Sequence, residues 1–362
     1  MTLKTLLNTV KHLEIQGELP QTISGLNYHS AKVLDGQLFF CIKGYVTDGH
    51  HYLQAAKSKG AVAAVVETFQ DVDIPQIRVA DSRLALALMA DAYFGHPSTR
   101  LRAIGVTATN GKTSTSFMID EILKANHLKT GIIGTVMTQY ADVLIPSELT
   151  TPESLDLHGY FADMLKHQVS HVTMEVSSSG QELSRVGGVD FDVVTFNNIS
   201  HEHIDQHGSF ENYLHHKTKL IKNAKPDAFA ILNLDDAYSK ALITQTKAQV
   251  ITYGAKDQSG DIAVKDLDLT SGRAKMTIAI RRLIVTPYGQ IAPCTFEVTL
   301  GVAGYHSAIN SLAAIGATLV LGLPIEAIQR GLANYKGVER RFEVLFEDDF
   351  KVFDDHFANA GN

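Results

Sequence analysis

The chain has 362 residues, enough for two or three domains, and its 45% apolar and 20% charged residues are ordinary for a soluble globular protein. A net charge of −7 with no basic block argues against a nucleic-acid partner. Cys41 and Cys294 match no metal or redox spacing and fit a reduced, cytosolic compartment, while no apolar run suits a signal peptide or a membrane span.

Residues 1–98 read as a small α/β domain. Gln37 to Ile42 is a predicted strand, Tyr52 to Lys59 a short helix stopped by Gly60, Ala61 to Val66 a second buried strand, and Ser82 to Phe94 a helix. Gly95-His96-Pro97-Ser98 is turn-rich, and marks either a domain boundary or a loop within one domain. Residues 99–336 alternate strands and helices, the pattern of a mostly parallel sheet covered on both faces. Ala103 to Val106 is an apolar strand, and Phe117, Ile119, Ile122 and Leu123 recur at near-helical spacing. Between them lies Thr107-Ala108-Thr109-Asn110-Gly111-Lys112-Thr113-Ser114. A glycine-bearing loop that opens a helix offers unpaired N–H groups and a positive dipole end to phosphate. Lys112 would reach the outer phosphates and Thr113 would hold Mg²⁺; the alternative is an ordinary strand-to-helix turn.

Thr130 to Thr135 follows as a strand and turn. In Leu149-Thr150-Thr151-Pro152 the hydroxyls form either a helix N-cap, with Pro152 at the first helical position, or a binding pair. His171 to Ser179 is a strand ending in Glu175 and three serines; an acid placed there is either a ligand-facing group or a surface carboxylate. Phe191 to Phe196 is another strand, running into Asn197 to Gly208. Five histidines fall between His201 and His216, which points to metal or phosphate chemistry. His201, His203, Asp205 and His207 lie one residue away from the spacing of zinc metallohydrolases of the β-lactamase type. That rival has no use for an upstream phosphate loop with Lys112. Lys217 alone reads as a solvated helix lysine. Residues 260 to 300 alternate apolar and polar positions, which predicts an antiparallel flap, and Gly304 opens a helix rich in small residues.

The phosphate loop resembles that of the Mur ligase family, G-x-T-G-T-N-G-K-T, with Ala108 in place of the second glycine. More family motifs follow in order. Gly36-Gln37-Leu38-Phe39, Gly44 and Asp48-Gly49-His50 are similar to the uridine-nucleotide domain, with His29-Ser30-Ala31 for the usual Asp-Ser-Arg. Thr150-Thr151-Pro152 resembles the family's Thr-Thr-Pro. Glu175, Ser177, Ser178 and Arg185 match E-V-S-S-H-x-L and its arginine, with Ser179 for the histidine. Asn198, Ser200, His203, Asp205, His207 and Gly208 align with N-x-S-x-D-H-x-D-x-H-G. H-G-x-x-x-x-Y-x-x-x-K selects Lys217, Asn310 takes the adenine-side asparagine, and Arg341 matches a linker arginine.

The resemblance is closest to the branch that adds the third residue of the muramyl peptide. It implies ATP-driven, ADP-forming amide synthesis through an acyl phosphate on UDP-muramyl dipeptide, in peptidoglycan synthesis in the cytoplasm. The added amino acid is diaminopimelate by default, or lysine. It implies ATP contacts at Thr107, Ala108, Thr109, Asn110, Gly111, Lys112, Thr113, Ser114, Asn310 and Arg341. Ser30 and Gly44 would hold the UDP-sugar, with Thr150, Thr151, Ser177 and Arg185 on the peptide. Two Mg²⁺ would be held by Thr113, Glu175, His203 and a Lys217 carbamylated by CO₂, and Lys112, Glu175, His203 and Lys217 would be the catalytic set. Residues 337–362 would begin a third domain, which makes the chain a truncated ligase. Three alternatives stand beside this: a paralogous ligase for another acid and amine, a non-catalytic nucleotide-binding remnant, and a zinc hydrolase.

Overall fold

The computed structural model describes residues 1–202, 207–270, 273–338, 343–347 and 351–354. They divide into two compact units. One is Met1–Arg100 with Pro152–Asp163 and Glu182–Val189; the other is Leu101–Thr151, Met164–Gln181 and the described part of Asp190–Asn362. The sequence places its first boundary at 98/99 and the second at 336/337.

The first unit contains α1 (Leu3–Leu7), β1 (His12–Gln16), β2 (Gly25–Asn27), β3 (Gln37–Phe40), α2 (Leu53–Ser58), β4 (Ala61–Val66), β5 (Gln76–Val79) and α3 (Ser82–Tyr93). Its sheet runs β1-β5-β4-β3-β2, parallel from β2 to β5, with β1 antiparallel at the edge. Side chains alternate along β3. Leu38 and Phe40 pack with Leu6, Val65, Leu86 and Met89, whereas Phe39 joins Leu53, Ala56, Ala64 and Val66. Both faces are buried, which is why Ala61–Val66 reads as an unbroken apolar run. Asp81 caps α3 by accepting from Leu84 N at 2.9 Å. The unit's three chain segments are stitched by polar contacts. Glu153 accepts from Arg83 Nη1 at 2.9 Å and from Arg185 Nη2 and Nε at 2.9 and 3.1 Å. His158 Nε2 donates to Gly187 O at 2.9 Å, with its Nδ1 3.6 Å from Asp91.

The second unit is built on an eleven-stranded sheet. Its elements are β6 (Arg102–Thr107), α4 (Lys112–Ala125), β7 (Thr130–Ile133), β8 (Met137–Tyr140), β9 (Val143–Pro146), β10 (His171–Glu175), β11 (Phe191–Phe196), α7 (Phe210–Lys222), β12 (Phe229–Asn233), α8 (Ala237–Ala241), β13 (Gln249–Gly254), β14 (Ile262–Asp268), β15 (Lys275–Ile280), β18 (Cys294–Thr299), α9 (Tyr305–Val320) and α10 (Ile325–Asn334). Helices α5 (Ser154–Lys166) and α6 (Ser178–Glu182) lie where the chain passes between units, and β16 (Ile284–Thr286) and β17 (Gly289–Ile291) form a separate hairpin. The strand order is β18-β15-β14-β13-β12-β11-β6-β10-β7-β8-β9, parallel from β14 through β7 and antiparallel at both ends. Helices α4, α9 and α10 pack together over Ile104, Val106, Val193 and Ile231. The intervening residues Val194, Phe196, Ala230 and Leu232 are equally buried, so the opposite face is covered as well. This is the mostly parallel, two-faced sheet that the alternating pattern predicts.

Two expectations are corrected. The strands within 260–300 are antiparallel, but β14, β15 and β18 continue the large sheet instead of forming a flap. Thr150 and Thr151 do not cap a helix: α5 begins at Ser154, leaving Pro152 outside it. A final hairpin joins β19 (Glu343–Glu347) to β20 (Lys351–Asp354). Among the described residues no helix is long and apolar enough to cross a membrane.

His171 opens β10 opposite Arg102. Burial, and then the Arg102 charge, push its pKa down to about 4. Above pH 6.5 the imidazole is neutral in both folded and unfolded chains and the shift has no effect. Below that the unfolded chain takes up the proton first, so stability is lost between pH 6.5 and about 4. His171→Gln is expected to flatten the pH dependence of the urea midpoint across this window.

Candidate active site

Strand β6 delivers the phosphate loop. The chain turns at Gly111, whose φ of +87° is left-handed, and α4 begins at the next residue, Lys112. A Cβ on Gly111 would overlap the Asn310 carboxamide, so the asparagine of α9 sits directly against the loop. Ala108 is buried and has no left-handed φ, so its backbone conformation does not require glycine. The loop is fixed from the side by the segment after β11. Thr109 N donates to Asn198 O at 3.0 Å, Asn110 N to Asn198 Oδ1 at 3.0 Å, and Asn198 Nδ2 returns a bond to Asn110 O at 2.9 Å. Ser200 N donates to Thr109 Oγ1 at 3.0 Å and Asn110 Nδ2 to Glu202 Oε1 at 3.1 Å. Thr107 Oγ1 donates to Val176 O at 2.7 Å, tying the loop to the end of β10. Thr113 is buried in the first turn of α4, with Ser114 half-buried beside it.

Two lysines meet on one carbonyl. Lys112 Nζ donates to Ala108 O at 2.9 Å and to Thr109 O at 3.1 Å; Lys217 Nζ donates to Ala108 O at 2.7 Å. Lys217 is only 2% exposed, which overturns its reading as a solvated lysine. The sequence explains why: Tyr213, Lys217, Leu220 and Ile221 form one helical stripe of α7, a helix capped by Ser209. Burial, reinforced by the Lys112 charge, drives the Lys217 ammonium well below its usual range.

Glu175 ends β10 at 1% exposure and is not a surface carboxylate. Its Oε1 accepts from Thr135 N at 2.9 Å and its Oε2 from Thr135 Oγ1 at 3.0 Å. A Cβ on Gly134 would collide with the carboxylate, so the glycine allows this approach. Among the described residues no cationic side chain contacts Glu175. A buried carboxylate held only by neutral donors suits a hard cation, so the site fits Mg²⁺. Thr151 Oγ1 donates to Glu175 O at 2.9 Å and accepts from Ser177 N at 3.0 Å, and Thr150 Oγ1 lies 3.1 Å from Thr135 Oγ1. Thr150, Thr151, Ser177 and Glu175 therefore converge at the carboxyl end of β10.

In the first unit, Ser30 and Gly44 line a cavity of about 380 Å³ with Tyr28, Phe39, Tyr52 and Arg83. Arg185 also lies in that unit, paired with Glu153. His203, Asp205 and Arg341 fall outside the described residues. Sequence reasoning passed over Thr135, Arg83 and Glu153. The one available signal was position: Thr135 follows the carboxyl end of β7, and Glu153 follows Thr-Thr-Pro.

Residues 106–318 match the Mur ligase middle domain and residues 22–115 the catalytic domain of the Mur ligase family. The UDP-N-acetylmuramoyl-L-alanyl-D-glutamate–2,6-diaminopimelate ligase of Bacillus cereus is 37% identical over 351 residues, covering 95% of this chain and 69% of that protein. Its counterpart from Geobacillus thermodenitrificans is 38% identical over 363 residues, covering 98% and 72%. A solved structure of a ligase of the same name superposes with a TM-score of 0.80 at 25% identity, covering 96% of this chain and 69% of that one. With more than half its length in the middle-domain match and relatives of this similarity, the chain belongs to the Mur ligase family.

Proposed function

We propose that the protein is a cytoplasmic, ATP-dependent ligase that joins diaminopimelate, or lysine, to the D-glutamyl residue of UDP-N-acetylmuramoyl-L-alanyl-D-glutamate. The observation that carries this reading is the meeting of Lys112, at the start of α4, and Lys217, on α7, at the Ala108 carbonyl. The names of the relatives supply the substrate class.

The substrate carboxylate attacks the γ-phosphorus of ATP and ADP leaves, giving an acyl phosphate. The incoming amine then adds to the acyl carbon, and phosphate departs as the amide forms. The N–H groups at the start of α4 cradle the phosphates, and Lys112 swings from its own loop carbonyls onto the transferring phosphoryl, whose spreading charge it neutralises. Asn310, against Gly111, is placed to meet the adenine end. Thr150, Thr151, Ser177 and Arg185 contact the peptide, while Ser30 and Gly44 hold the nucleotide-sugar. Thr113, Glu175, His203 and a carbamylated Lys217 would hold two Mg²⁺, which would supply electrostatic stabilisation of the phosphoryl oxygens.

Lys217's burial supports the carbamate. Burial favours the free amine over the ammonium, and amine plus CO₂ gives a carbamate and one proton. The carbamate nitrogen keeps one hydrogen, so its bond to Ala108 O survives while two hard oxygens are gained. Incubation with ¹³C-bicarbonate is expected to give one carbamate carbon resonance that Lys217→Ala removes and that weakens as pH falls and the amine protonates. A resonance unchanged in that variant would end this assignment. Phosphate release from ATP is expected only with both UDP-muramyl dipeptide and the amino acid present, falling about a hundredfold or more in Lys112→Ala. Release with a different acid instead would transfer the chain to a paralogous ligase activity.

A further inference from the structure

Glu175 has four lone-pair positions, and Thr135 fills one on each oxygen, from its amide and its hydroxyl. The carboxylate lies against Gly134, with one lone pair on each oxygen left over. A buried carboxylate that must meet a cation in one orientation needs such a clamp, because a free χ3 rotation would carry the oxygens off the metal. The Thr135 hydroxyl has a single proton and gives it to Glu175 Oε2. Thr150 Oγ1, 3.1 Å away, is therefore the donor in its contact with Thr135. That leaves Thr150 with lone pairs only, so it presents an acceptor to whatever lies beyond it.

We propose that Thr135 is the positioning residue of Glu175 and that its hydroxyl couples this carboxylate to Thr150, which thereby recognises an N–H group of the peptide substrate. The chain Thr150–Thr135–Glu175 is polarised in one direction, each hydroxyl made a better acceptor by the bond it donates. A bound cation draws charge from Glu175 and an N–H donor adds to the other end, so the two ends of the chain respond to each other. The proposal rests on Glu175 as a metal ligand, and its test separates the two ideas.

Mn²⁺ serves as the paramagnetic probe, titrated into the full chain with saturating ADP and read by electron paramagnetic resonance. Thermal unfolding of each variant checks the fold, and Thr135→Ala is the substitute should Thr135→Val not fold. Thr135→Val is expected to weaken Mn²⁺ binding about tenfold or more, the range for residues that orient a metal ligand, while Thr135→Ser restores it to near the parent value. The KM for UDP-muramyl dipeptide is expected to rise in Thr135→Val and recover in Thr135→Ser, with the KM for the amino acid unmoved. If Glu175→Gln weakens Mn²⁺ but Thr135→Val does not, the positioning role is wrong and the metal site stands. If Thr135→Ser is as weak as Thr135→Val, the hydroxyl is not the operative group. If Glu175→Gln itself leaves Mn²⁺ affinity unchanged, the carboxylate is no ligand and the proposal falls with it.

Discussion

Buried ionisable side chains with no opposite charge in contact govern the second unit. Lys217 and Glu175 are 2% and 1% exposed, and among the described residues neither touches a side chain of opposite charge. Removing an ion from water costs several kcal/mol after relaxation, which a carbonyl, an aromatic face or a pair of neutral donors offsets only in part. Under the proposed function, a phosphorylated, metal-bearing ligand would complete these groups. The Tyr213 ring lies 5.1 Å from Lys217 Nζ, and its hydroxyl shares a hydrogen bond with Thr109.

Strand register does the placing. Glu175 lies opposite Val106, and Phe196 opposite Thr107, so β6, β10 and β11 end level with one another. Their following loops must then share one rim of the sheet, the place where parallel α/β sheets collect ligands. A slip of one residue in β10 would turn Glu175 from one sheet face to the other. Backbone and side-chain hydrogen bonds joining residues 107–110 to 176 and to 198–202 lock that rim.

Much of this is written in the residues. The β6–loop–α4 unit follows from an apolar run, a glycine and an amphipathic stretch, and the continuous apolar strands foretell burial on both faces. Lys217 is the instructive failure of local reading. As a lone lysine it looks solvated, yet its neighbours Tyr213, Leu220 and Ile221 already mark its face of α7 as the buried one. Thr135 was hidden for a different reason. Its role depends on Glu175, forty residues later in sequence and two hydrogen bonds away in space, and no periodicity encodes such a pairing. The antiparallel strands after β13 were read correctly as a type but not as an extension of the main sheet, because alternation reports which faces are buried and says nothing of which edge a strand joins.

Glu153 holds together three stretches of chain that synthesis delivers at different times: Arg83 lies in the first, Glu153 itself in the second, and Arg185 in the third. A nascent chain that has emerged as far as residue 100 possesses the whole first sheet but neither of its later stitches. It must wait while some eighty further residues, most of them belonging to the other sheet, leave the ribosome. Maturation of the amino-terminal half is thus bound to the translation of its neighbour, and neither half can be cut from the gene as one uninterrupted block.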